Sequence, residues 1–227
     1  MSWILVAAIL AGPSVPAVAQ LTPRQAFTQF AGELQTGSLI ISQGDCLAVK
    51  IYSASAYTHV AAVVVHDGEA SVYDATGGAG VRKQSLRDYF VCQGNHTLHF
   101  FHPCRPFSEK RAQCFEQHLE SQLGRPYAIL HHLTGERAAG LHCSEYVTDA
   151  LIAAGTVRAR QPSRVSPATL VEGILKADLY RQEGTVQPVP DSPERPASGG
   201  WCARLWFDTR QCTRACCGKL RGWFFCK

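Results

Sequence analysis

Hydrophobic residues recur at helical spacing in four segments of the chain, each bounded by residues that typically start or stop a helix. Thr22 and Pro23 open the first segment as an N-cap and a first-turn proline, and Ser108 opens the second. Gly37 and Gly124 end these two segments. The pattern predicts helices over residues 23–36, 109–123, 143–154 and 167–179.

Between the first two helices the pattern changes to short β-branched runs broken by Gly-Asp and Asp-Gly pairs, from Leu39 to Val81. A further strand-like run, HTLHFFHP, covers His96 to Pro103. Strands joined by tight turns form antiparallel sheets. We therefore predict an α+β fold in which an antiparallel β-sheet packs against helices.

A β-hairpin with a two-residue turn is predicted at Asp67–Gly68, in the segment YTHVAAVVVHDGEASVYDATGGAGV. A two-residue loop there places Ala61 opposite Asp74. Because cross-strand partners share a face and side chains alternate along a strand, Asp74 lies on the same side as His59, one diagonal step away. An imidazole and a carboxylate at that separation can act as the base and the orienting group of a nucleophilic site.

A cysteine stands at the start of the third predicted helix, in the segment LHCSEYVTDALIAAG. Free backbone N–H groups and the helix dipole favour an anion in the first turn of a helix, and both lower the pKa of a thiol placed there. Cys143 is therefore a candidate nucleophile. The alternatives are that it is a buried small hydrophobic residue or one end of a disulfide.

These segments resemble the circularly permuted NlpC-type papain-like cysteine hydrolases, in particular the YiiX/YebB-like branch. The resemblance rests on GDCLAVKIYSASAYTHVAAVVV, VYDATGGAGVRKQSL, LGRPYAILHHL, LHCSEYVTDALIAAG and VSPATLVEG, and spans roughly residues 37–173. His59 precedes Cys143 in the chain, the reverse of the order in papain. The resemblance implies a permuted papain-like fold.

The same resemblance implies roles for individual residues. Cys143 would be the nucleophile, His59 the base and Asp74 the third residue of the triad. Tyr127, in the Gly-x-Pro-Tyr element, and Ser144, in the Cys-Ser-Glu element, would bind the substrate or its oxyanion. Asp74 stands where this branch more often has Glu, and Ala128 stands where it commonly has a carboxylate.

Residues 1–19 are predicted to be a signal peptide, because an apolar run without acidic residues ends in Ala17-Val18-Ala19. The apolar run is too short for a transmembrane anchor. Ten cysteines are typical of an oxidising compartment, so we expect an exported protein, periplasmic or secreted, with disulfide bonds. If Cys143 is a free nucleophile, an odd number of cysteines remains, and the sequence does not give their connectivity.

A net charge of +4 without a basic stripe in the main body argues against nucleic acid as a partner. The histidines and cysteines lack zinc-site spacing, so no metal and no cofactor are expected. The composition fits one globular domain, with 46% hydrophobic and 18% charged residues. We assign residues 20–185 to this domain, and the oligomeric state stays open.

Beyond the domain, residues 186–200 are rich in proline and glycine and are predicted to be a linker. Residues 201–227 form a basic tail with five cysteines and three tryptophans. We expect this tail to be a disulfide-stapled cap. Contact with a membrane surface or with the cell wall is the alternative.

The expected function is hydrolysis of an amide bond by a thiol, through a thioacyl intermediate. The resemblance implies cell-wall peptides as substrates for an exported enzyme of this kind. Two alternatives remain open: a lipid-directed acyltransferase or phospholipase on the same scaffold, and a non-catalytic, disulfide-rich binding module in which Cys143 is oxidised.

Overall fold

A computed structural model describes residues 18–44, 47–129, 131–190 and 200–225. Its strands are β1 (Ala19–Leu21), β2 (Leu39–Gln43), β3 (His59–His66), β4 (Glu69–Thr76), β5 (Gly80–Ser85), β6 (Thr97–Pro103) and β7 (Tyr180–Pro188). Its helices are α1 (Pro23–Phe30), α2 (Leu47–Ser53), α3 (Leu86–Cys92), α4 (Glu109–Ser121), α5 (His131–Thr134), α6 (Cys143–Ala153), α7 (Pro167–Lys176) and α8 (Trp201–Phe225), with a 3-10 turn at Pro162–Arg164.

The seven strands form one sheet in the order β1-β7-β6-β2-β3-β4-β5. Neighbouring strands are antiparallel except β1 and β7, which are parallel. The predicted α+β class with a mostly antiparallel sheet is confirmed.

An apolar layer covers each face of the sheet. On one face, Val60 and Ala62 of β3 share a core with Tyr146 of α6, together with residues of α4 and α7. On the other face, Ala61 of β3 shares a core with Phe90 of α3 and with residues of α1. This alternation along β3 is the period-2 pattern of a strand buried on both sides. The α6 helix therefore lies directly against β3 and β4, the two strands of the predicted hairpin.

The hairpin forms in the predicted register. His66 pairs with Glu69 and Val63 with Val72. Asp67 and Gly68 have φ angles of 49° and 81°, the left-handed values that a type I′ turn requires at both central positions. His59 and Asp74 therefore lie on one face of the sheet.

Several predicted boundaries differ from the structure. The α1 helix ends at Phe30 rather than at residue 36, and a turn follows in which the Ser38 hydroxyl accepts a hydrogen bond from the Gln35 N–H. The β7 strand continues to Pro188, so residues 186–188 belong to the sheet and not to the linker. Ala19, the last residue of the predicted signal peptide, pairs with Val186 in β1. Residues 1–17 lie outside the described part, and the signal peptide stays a prediction.

Most of the tail forms the single helix α8, and the expected disulfide-stapled cap stays a prediction, since Cys46 and Cys226 lie outside the described residues. Its described cysteines have free thiols: Cys202, Cys212, Cys216 and Cys217. Cys212 and Cys216 are four residues apart on the helix, where Cβ atoms lie about 5–6 Å from one another, wider than a disulfide usually spans. None of the described helices is long and apolar enough to cross a membrane.

Candidate active site

Cys143 is the first residue of α6, as predicted, and its thiol is free and only 4% exposed. The preceding residue, His142, is the N-cap: its Nδ1 accepts a hydrogen bond from the Glu145 N–H at 3.3 Å. A cap of this kind leaves other first-turn N–H groups without intrahelical partners. The thiol therefore sits where the helix terminus stabilises a thiolate.

His59 and Asp74 meet within the hairpin, as the predicted register requires. Their Nε2 and Oδ2 atoms are 3.3 Å apart, and the Asp74 side chain is completely buried. This contact fixes one nitrogen of the imidazole ring and leaves Nδ1 for a different partner. The sequence-based pairing of these two residues is thus observed.

Arg82 of β5 completes this arrangement from the other side of the carboxylate. Its Nε donates to Asp74 Oδ1 at 2.8 Å and its Nη2 donates to Asp74 Oδ2 at 3.2 Å. Two charge-assisted bonds from one guanidinium hold both carboxylate oxygens in a fixed plane. Burial alone would raise the pKa of Asp74, but the bonds from His59 and Arg82 outweigh it and lower the pKa.

The thiol and the imidazole form an ion pair. Burial opposes the charged form of each group, but the attraction between them is stronger. The charge of His59, with hydrogen bonds to His142 and His59, lowers the pKa of Cys143 to about 5. The charge of Cys143, with the hydrogen bonds to Asp74 and Cys143, raises the pKa of His59 to about 10. Near neutral pH the site therefore holds a thiolate beside an imidazolium.

Two histidines lie close to the thiol, and their other contacts distinguish them. The Nε2 of His142 donates to the Ser163 carbonyl at 2.8 Å, and its Nδ1 accepts the capping N–H of Glu145. Main-chain groups thus engage both ring nitrogens of His142, although Cys143 also raises the pKa of this ring against the effect of burial. His59 instead faces the Asp74 carboxylate, which stabilises an imidazolium. This contact makes His59 the better candidate base, and His142 is the N-cap residue of α6.

Tyr127 lies beside the thiol. Its segment runs alongside Leu141, two residues before Cys143, through a bridge in which the Ala128 N–H donates to the Leu141 carbonyl at 3.2 Å. Burial, and then the charge of Cys143, raise the pKa of Tyr127, so its hydroxyl stays protonated and available as a donor.

Ser144 does not occupy a comparable position. Its side chain is completely buried, and its Oγ lies 3.2 Å from His142 Nδ1, within the helix cap. Its hydroxyl is thus directed to the N-cap residue rather than to an exposed surface. The predicted substrate-binding role of this side chain has no support in the geometry.

His132 is a second buried histidine close to the N-cap. Its Nδ1 and the Nε2 of His142 each lie 2.8 Å from the Ser163 carbonyl, and the two rings meet edge to face at 4.9 Å. One backbone oxygen thus holds two imidazole rings behind the thiol. No sequence pattern indicates this role of Ser163, because its contribution is a main-chain atom.

No family model matches the chain, and no curated protein sequence matches it. Among solved structures, the chain is similar to the crystal structure of the metalloprotein YiiX from Escherichia coli O157:H7, a DUF1105 protein. The sequence identity is 20% and the TM-score is 0.44, and the similarity covers 68% of this chain and 88% of that chain. Within the part of the present chain that the structure describes, no group of three or more His, Cys, Asp or Glu residues could hold a metal ion.

Proposed function

We propose that this protein is a cysteine hydrolase that cleaves amide bonds by acyl transfer through Cys143, with His59 as the base and Asp74 as its orienting group. The observation that carries the proposal is the buried thiol–imidazole pair at a helix N-terminus, whose imidazole is held by a carboxylate. A nucleophile, a base and an orienting group in this relation are the parts that thiol acyl transfer requires. A binding module in which Cys143 is oxidised is not favoured, because this thiol is free.

In the first half-reaction, the Cys143 thiolate attacks the carbonyl carbon of the amide and forms a tetrahedral oxyanion. The Cys143 N–H, which belongs to the first turn of α6, and the Tyr127 hydroxyl are the candidate donors to that oxyanion. As the intermediate collapses, the C–N bond breaks and the imidazolium of His59 gives its proton to the leaving amine. The products are a free amine, a thioester on Cys143 and a neutral imidazole.

In the second half-reaction, neutral His59 takes a proton from water while the water oxygen attacks the thioester carbon. Collapse of this second oxyanion breaks the C–S bond and restores the thiolate beside the imidazolium. Asp74, fixed by Arg82, keeps the ring oriented through both steps. No group other than water is consumed.

The substrate class and the cellular site rest on the sequence. The resemblance of the His59 and Cys143 segments to permuted NlpC-type hydrolases supports cell-wall peptides as substrates and a permuted papain-like chain order. The apolar segment at residues 1–19 supports export. On these grounds the enzyme acts on peptide amides of the cell wall outside the cytoplasm.

The test is hydrolysis of purified cell-wall peptide fragments, followed by mass spectrometry of the products. Cys143→Ala should abolish cleavage, whereas Cys114→Ala is the matched control, since Cys114 is a half-buried cysteine in α4 outside the site. A thioester on the peptide that carries Cys143 should be trapped by acid quenching of the wild-type reaction. Cleavage that persists in Cys143→Ala would refute the assignment.

A further inference from the structure

The tail helix α8 is amphipathic, and no step of the proposed reaction uses it. On a helix with 3.6 residues per turn, Trp201, Leu205, Cys216 and Leu220 fall on one stripe, and Cys202 and Trp206 fall on the adjacent stripe. Cysteine in this setting behaves as a small hydrophobic residue. The two stripes together make one mostly apolar face, on which Thr209 and Thr213 also lie; we call it the apolar face of α8.

This face is open to solvent. Trp201 is 75% exposed, Trp206 is 68% exposed and Leu205 is 51% exposed. The helix touches α2, and its half-buried residues, Phe207 and Gln211, lie one turn apart on the side away from the apolar face. The contact with the rest of the chain therefore leaves the apolar face uncovered.

Positive charge is concentrated on the remaining surface of the helix. Arg204, Arg210 and Arg214 are exposed and lie on the half opposite the apolar stripes. Residues 201–227 contain six basic residues and one acidic residue, Asp208. A helix with Trp and Leu on an apolar face and arginines on the opposite half has the pattern of a helix that lies in the interface of a membrane.

We infer that α8 docks on the surface of an anionic phospholipid bilayer, with its apolar face in the interface and its arginines toward the lipid phosphates. A second copy of the chain fits less well. It would cover the apolar face but would leave the basic residues without partners, because each tail has only one acidic residue. Anionic lipids supply both the apolar medium and the opposite charge.

The test uses the full chain under reducing conditions and vesicles of two compositions: phosphatidylcholine alone, and phosphatidylcholine with phosphatidylglycerol. Three of the four tryptophans lie in residues 201–227, so tryptophan emission reports mainly on this segment. We expect the chain to co-sediment with the phosphatidylglycerol vesicles, with a blue shift of the emission. Binding should weaken as salt is added, because exposed charges are screened.

Two variants separate insertion from simple charge attraction. Leu205→Glu and Ala203→Glu each add one negative charge to an exposed position of α8, but only Leu205 lies on the apolar face. The added charge should weaken binding about fivefold in both variants. Loss of the leucine should weaken it by roughly a further tenfold in Leu205→Glu.

Three results would overturn the inference. The first is no co-sedimentation with phosphatidylglycerol vesicles. The second is equal weakening by Leu205→Glu and Ala203→Glu, which would mean that the apolar face is not inserted. The third is a blue-shifted emission without lipid together with a dimer in analytical ultracentrifugation, which would assign the face to a second copy of the chain.

Discussion

The ion pair between Cys143 and His59 makes a direct prediction for His59→Gln. The pKa of about 5 for Cys143 lies well below the ordinary thiol value of 9.0. A difference of that size corresponds to roughly 5 kcal/mol in favour of the thiolate. His59 supplies the largest favourable part of it, so its replacement by a neutral amide should raise the pKa of Cys143 by roughly 1–3 units.

The measurement must be a full pH profile rather than a rate at one pH. Raising the pKa reduces the fraction of thiolate, but it also makes the remaining thiolate a stronger nucleophile, by roughly 0.4–0.5 log units for each pKa unit. At neutral pH the two effects partly cancel. The midpoint of the alkylation profile is free of this cancellation, because it reports only the protonation equilibrium.

Iodoacetamide labelling can be followed at this cysteine alone. Trypsin cleavage at Arg137 and Arg158 releases the peptide AAGLHCSEYVTDALIAAGTVR, in which Cys143 is the single cysteine. His66→Gln is the matched control, since it makes the same substitution at an exposed histidine at the other end of β3. A wild-type midpoint near that of a free thiol, or an unchanged midpoint in His59→Gln, would refute the ion pair.

Three further variants test the structure around the site. Asp74→Asn removes the buried carboxylate charge that pairs with the Arg82 guanidinium, whose side chain is 30% exposed. The variant should have a free energy of unfolding lower by about 1–3 kcal/mol at pH 7, measured by urea denaturation. Because folding lowers the pKa of Asp74, its contribution is complete above the unfolded pKa and is lost as the pH falls through the folded value. The difference in the free energy of unfolding between the wild type and Asp74→Asn should therefore become smaller in acid. A difference that does not change with pH would argue against an ionised Asp74. His142→Leu should destabilise the protein by about 1 kcal/mol more than His142→Asn in thermal unfolding, since Asn can still accept the capping hydrogen bond; equal losses would exclude the cap. Gly140→Ala should lower the melting temperature, with a cost of roughly 1–3 kcal/mol, because its Cβ would lie 2.5 Å from the Pro126 carbonyl; an unchanged melting temperature would contradict this packing.

The hairpin was predictable because its determinants are local. Asp67–Gly68 selects a two-residue turn, and that turn fixes which residues of β3 and β4 are opposite one another. From the register it follows that His59 and Asp74 share a face. The start of α6 at Cys143 was predictable in the same way, from the apolar spacing within one segment.

Other parts of the site depend on contacts between distant segments. Cys143 lies close to His59 because Tyr146 and its neighbours pack α6 against β3. No local sequence pattern predicts that packing. The role of Arg82 was missed because β5 alternates weakly: Val81 is its one buried residue. The α8 helix was missed because cysteine, tryptophan and threonine are weak helix formers, and the cysteines suggested disulfides instead.

The hairpin is long enough to place its turn far from the candidate site residues His59 and Cys143. Asp67 and Gly68 are exposed and lie eight and nine residues along the chain from His59, roughly 26 Å or more in an extended chain. Both hairpin strands are also held by a second neighbour, β3 by β2 and β4 by β5, so their register does not depend on the turn alone. The turn is therefore a suitable attachment point for an affinity tag, a fluorophore or a surface linker, through which the protein could be immobilised away from Cys143 and His59.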